Sequence, residues 1–166
     1  MSKLIRNGQV VNDAWKILRL AEGDTPHGVK LPVGEVLVSP AVWKTRRAEL
    51  IHREYEHGWA LGIWLAADES PASIERDIDD FSVIAVEFDK FSDGNSYLAA
   101  RLLRERYGYS GELRAIGDVP QDKLSWLHQL GFDTIAAPTS RQFAGVLARP
   151  HKSGWGGNPV LVAAAA

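Results

Sequence analysis

Cysteine is absent from the sequence. Its absence excludes disulfides, thiolate zinc sites, cysteine-ligated iron–sulfur clusters and thiol redox chemistry within the chain. A redox role would then rest on a partner or on a cofactor that these residues leave unidentified. A surplus of either charge is lacking too: 19 basic against 21 acidic side chains leave a formal charge of -2. That balance speaks against nucleic acid as a partner, because such binders carry a basic surplus. Long apolar runs are missing as well. The opening Met1-Ser2-Lys3-Leu4-Ile5-Arg6-Asn7-Gly8 has no stretch of signal-peptide length, and no segment is long enough to span a membrane. A soluble, cytoplasmic protein is the expectation.

What the sequence does hold is a repeating plan. Apolar residues are 45% of the 166, enough for one α/β domain with a buried core over 1–150. The remainder, 151–166, is a tail with glycines around Trp155. A short β-hairpin is expected within the first 30 or so residues, where Asn7-Gly8 between apolar runs favours a tight turn. Five strands follow, at 35–38, 59–66, 83–86, 113–116 and 134–137, each succeeded by a helical pattern. Ser39-Pro40 and Ser70-Pro71 read as helix caps followed by proline at the first helical position. Trp43, Leu50, Ile51 and Tyr55 are expected on one face of the first helix. Leu98, Leu102, Leu103 and Tyr107 are expected on the core face of a later one, which Gly108 closes. A last helix opens at Thr139 and Gln142.

Alternation of this kind implies a mainly parallel five-stranded sheet with right-handed crossovers. An open doubly wound sheet and a partial barrel both satisfy it. The short, similar units favour the partial barrel.

In parallel α/β folds ligands meet the carboxyl ends of the strands. Ser39, Asp68, Asp89, Asp93, Asp118, Thr139 and Ser140 fall there, and each is also a good helix cap. The densest stretch is Phe88-Asp89-Lys90-Phe91-Ser92-Asp93-Gly94-Asn95-Ser96-Tyr97. It joins acids, a lysine, a glycine and small polar groups in one strand-to-helix loop, a pattern suited to an anion at a helix start. Glu87 interrupts an apolar strand, so it must face solvent, pair with a base such as Arg114, or act as an acid or base. Candidate ligand-binding residues are therefore Asp93, Gly94, Asn95, Ser96, Arg114 and Asp118. Candidate catalytic groups are Glu87, Asp89 and Lys90. Arg101, Arg104 and Arg106 share a helix, where an Arg101–Glu105 pair accounts for part of the cluster. Asp118-Val119-Pro120-Gln121 reads as a capping-box variant. The five histidines show no zinc spacing, no phosphate-loop or dinucleotide fingerprint is present, and no metal is expected.

Between Phe88 and Asp133 the chain resembles a known bacterial family, domain of unknown function 934. The resemblance is carried by Phe88-x-Lys90-Phe91-x-Asp93-Gly94 and by Ala100-Arg101-Leu102-Leu103-Arg104-Glu105-Arg106-Tyr107-Gly108. Gly111-Glu112-Leu113-Arg114-Ala115-Ile116-Gly117-Asp118-Val119 and Gly131-Phe132-Asp133 follow in order, with weaker support from Gly62-x-Trp64-Leu65-Ala66. Members of that family are typically encoded beside sulfite reductase, and the resemblance implies a role near assimilatory sulfate reduction. It supplies no catalytic residues. The chain departs from the family pattern at Asp89 (usually proline), Asn95 (usually arginine), Leu130 (usually cysteine) and Pro120.

Three functions are thus expected in order of preference. The first is an accessory protein of sulfate or sulfite reduction, binding sulfite reductase, a neighbouring enzyme or a small oxyanion at the strand carboxyl edge. The second is a small-molecule lyase or isomerase with Glu87 or Asp89 as base. The third is a homodimeric scaffold joined through aromatics such as Trp126 and Trp155.

Overall fold

The computed structural model describes residues 2–90 and 93–136. The expected helix from Thr139 and the tail from 151 lie outside the described residues. Strands β1 (Ser2–Arg6) and β2 (Gln9–Asp13) form the expected hairpin, and Asn7 and Gly8 take the positive φ values of 52° and 74° that its turn demands. Then come β3 (Lys16–Ile17), β4 (Val36–Val38), helix α1 (Pro40–His57) and β5 (Leu61–Leu65). A 3₁₀ helix over Pro71–Asp80 leads to β6 (Val83–Phe88) and α2 (Asp93–Arg101), which widens into a π-helical turn at Leu102–Arg106. β7 (Glu112–Gly117), a 3₁₀ turn (Gln121–Lys123), α3 (Leu124–Gln129) and β8 (Thr134–Ala136) complete the described chain.

All eight strands join one sheet in the order β2-β1-β8-β7-β6-β5-β4-β3. The expected count of five is corrected to eight. The five expected strands are present and parallel, but β3 adds a sixth beside β4 and the hairpin docks antiparallel on β8 through Leu4↔Ala136. β3 was invisible to pattern reading because two exposed residues carry no alternation. From β3 to β8 spatial order follows chain order. No switch point exists, so the crossovers place their helices on one face, as in a barrel wall.

The sheet is a curled half-barrel. Seven spacings of about 4.8 Å would separate the edge strands of a flat sheet by about 34 Å. Only Ala14 and Trp15 join the outermost strands β2 and β3, and such a link spans at most about 11 Å. The sheet must therefore roll. Its outer face packs Ile63, Ile84, Leu113 and Ile135 against Trp43, Leu50, Leu103 and Leu127 of the helices. Its concave face is smaller: Leu37, Val83, Ala85 and Ile116, with Trp15 and Trp64 packed over them.

Local signals hold where geometry is local. Ser39 accepts the Val42 N–H at 3.4 Å, and Gly58 (φ 67°) closes α1. Two expected faces are corrected in part. In α1 Trp43 and Leu50 are buried as expected, on either side of a break in helical geometry at Arg46 (φ -125°, ψ 27°), whereas Ile51 and Tyr55 are 42% and 89% exposed. Leu98 is 55% exposed, since α2 turns Ser96, Ala99, Ala100 and Leu103 to the sheet.

Candidate functional site at the strand carboxyl ends

Strand register places the expected residues. Ala85 faces Arg114 and Glu87 faces Ile116, so Glu87 and Arg114 lie one row apart on the concave face. The expected Glu87–Arg114 pair is corrected accordingly. Glu87 instead accepts from Arg19 at 2.6 Å, and the Arg19 guanidinium also lies 4.5 Å over the Trp64 ring. Trp64 donates its indole N–H to the Leu18 carbonyl at 3.1 Å, which holds the loop after β3 across the mouth. Spacing could not have found this trio, because Arg19 stands 68 residues from Glu87.

Arg114 is 2% exposed and deep in the concave face. Its guanidinium donates to Glu112 at 2.8 and 3.0 Å and to Asp13 at 3.0 Å. Glu112 also accepts from Thr134 at 2.6 Å and from Arg6 at 2.8 Å. This network ties β7 to β8 and to both hairpin strands. Arg114 is spent on it and is not brought to the strand edge with Asp118.

At the edge itself, Ser96 is buried and donates to the Glu87 carbonyl at 2.7 Å, seating α2 on β6. The Asp118 N–H donates to the Phe88 carbonyl at 2.8 Å, and the residue is exposed. The expected capping box is not formed: the turn at Gln121 starts from Pro120 with no side-chain cap. Asp89 is half-buried, and Lys90, Gly94 and Asn95 are exposed. The Asp93 side chain, Thr139 and Ser140 lie outside the described residues. Among the described residues no group of three His, Asp or Glu is placed to hold a metal ion.

Two further features mark this edge. Tyr97 packs against Phe88 at 5.3 Å and against Trp126 at 4.4 Å, and the Lys123 ammonium sits within 5.8 Å of both the Tyr97 and Trp126 rings. Trp126 is 42% exposed, so the stack is a surface platform. On the other side of α2 a cleft of about 150 Å³ opens, lined by Asp68, Ser70, Asn95, Leu98 and Leu102 among others.

The opposite end of the sheet carries a denser construction. Arg104, in the π-helical turn, donates to the carbonyls of Tyr109 (2.7 Å), Gly111 (2.9 Å) and Gly131 (2.8 Å) and to the Asp133 carboxylate (2.7 Å). Asp133 in turn accepts the Leu113 N–H at 2.9 Å. The α3 terminus that delivers Gly131 is a Schellman motif, with Phe132 N–H on Leu127 and Gly131 N–H on His128.

The family described as "Bacterial protein of unknown function (DUF934)" matches residues 62–152, more than half of the chain. The chain belongs to that family. No curated protein and no solved structure matches it. Three of the strings that carry the DUF934 resemblance, at 100–108, 111–119 and 131–133, meet at Arg104. In a barrel-like sheet the amino-terminal side serves stability. Much of this DUF934 signature therefore describes a structural clasp. Arg101 pairs with Glu105 at 2.9 Å as expected, so Arg101 and Arg104 both have intramolecular partners.

Proposed function

We propose that the chain is an accessory protein of sulfate or sulfite reduction that docks a partner enzyme at the strand carboxyl edge. The sulfur assignment follows what the family resemblance implies, and the docking is supported by the Lys123–Tyr97–Trp126 platform. That platform is the observation that carries the reading. Large aromatic groups beside a cation on an open surface are typical anchors of protein interfaces. The oxyanion version has less support, because Arg114 and Ser96 are both occupied within the fold. A deletion strain should grow on cysteine but poorly on sulfate as sole sulfur source. Normal growth on sulfate removes the sulfur assignment. Tagged protein from sulfate-grown cells should retain sulfite reductase or a neighbouring enzyme, and Trp126→Ala should release it.

The enzyme reading keeps one observation in its favour. Glu87 stands at the mouth of the half-barrel, where parallel α/β folds place chemistry. Its carboxylate is held by Arg19, so action as a base requires that pair to open. Unchanged metabolite turnover in a stable Glu87→Gln variant removes this reading.

A further inference from the structure

The cleft beside α2 has two unlike walls. Leu98, Leu102 and Pro71 make one side apolar, while Asp68 and Asn95 stand exposed at the rim. Two other polar lining groups are engaged by local backbone: Glu69 accepts the Ala66 N–H at 2.8 Å and Ser70 the Ala72 N–H at 3.3 Å. Asp68 is the carboxylate presented to an incoming group. A cation on an aliphatic stem fits this arrangement, its methylenes lying along Leu98 and Leu102 while the charge reaches Asp68. Leu98 is 55% exposed at the opening, so its side chain is available to the stem of an incoming group.

The surroundings carry the same sign. The loops over residues 66–70, 89–90 and 118–123 hold five carboxylates against two lysines. A field of that sign draws a positive surface and repels a negative one.

We infer that the strand carboxyl edge docks a basic protein surface, one of whose lysine or arginine side chains enters the cleft beside Leu98. The inference rests on the docking reading above and names the chemistry of the partner. Nitrogen-labelled full-length chain is titrated with an acetylated Lys-Leu-Lys-Leu-Lys peptide and with its Glu-Leu-Glu-Leu-Glu counterpart, followed by amide NMR. The basic peptide should move amides of 67–71 and 95–102, the acidic one should not, and about 0.5 M salt should abolish the effect. Asp68→Lys should weaken binding about fivefold or more and Leu98→Ala about threefold, with thermal unfolding unchanged because both side chains are exposed. Shifts elsewhere, an equal response to both peptides, or undiminished binding by both variants overturns the inference. So does sedimentation showing a dimer whose contact covers Leu98. Peptide binding at the cleft in a protein whose deletion leaves growth on sulfate normal removes the sulfur assignment alone. A silent cleft with a sulfate growth defect removes this inference alone.

Discussion

Single residues here are constrained by what crosses them from distant parts of the chain. A Cβ on Gly62 would stand 2.5 Å from Leu37, 2.7 Å from the Val83 carbonyl and 3.0 Å from the Trp15 ring. The carbonyl belongs to the neighbouring strand and cannot yield, so Gly62→Ala should lower stability by about 1–3 kcal/mol in denaturant melts. Arg114 is bounded differently. Arg114→Met would leave Asp13 and Glu112 without their buried cation and should cost about 3–5 kcal/mol, read from the same melts. Tyr109 is buried, with its hydroxyl donating to the Phe81 carbonyl at 3.0 Å. Burial pushes its phenol above the ordinary value of 10.0. Because the folded state holds that proton longer, its contribution is complete below pH 10 and is lost as pH climbs beyond. Alkaline titration followed by phenolate absorbance should show a Tyr109 step displaced above pH 10, and Tyr109→Phe should remove that step. Ionisation of Tyr109 at about pH 10 contradicts the burial.

At the scale of elements, what was legible depended on whether the cause was local. The Ser39 cap, the Asn7-Gly8 turn and the Arg101–Glu105 pair each involve side chains within a few positions, and each is present. Helix faces were less legible. The α1 stripe held at Trp43 and Leu50 but failed at Ile51 and Tyr55, and the expected core position Leu98 is a surface residue beside the cleft. The Asp118 capping box also failed, because β7 hands its next N–H to the Phe88 carbonyl. The π-helical turn had no sequence signal, yet it contains the Arg104 clasp. Arg104→Ala should strip three carbonyls of their side-chain donor and leave the Asp133 carboxylate with the Leu113 N–H but no cation. We expect a loss of about 2–4 kcal/mol. Hydrogen exchange should speed up first in the loops at 108–111 and 130–133, and uniform acceleration would argue against a local clasp.

The whole molecule is decided by closure. Deleting residues 2–13 would uncover the β8 edge and strip Arg114 and Glu112 of Asp13 and Arg6. Such a chain should aggregate or lose cooperative unfolding, and a soluble, cooperative variant would show that the hairpin is dispensable. By itself the sequence determined the hairpin, the order of strand and helix, the parallel pairing and the family. Each follows from short-range stereochemistry, apolar periodicity or a string of residues read in place. Only the tertiary structure decided the partners of the charged groups. Glu87 takes Arg19 rather than Arg114, and Arg114 takes Asp13 from a hairpin 101 residues away. Those choices follow from register and curl. A shift of one row exchanges every neighbour on a face, and rolling the sheet brings its two edges together across chain distances that no spacing encodes.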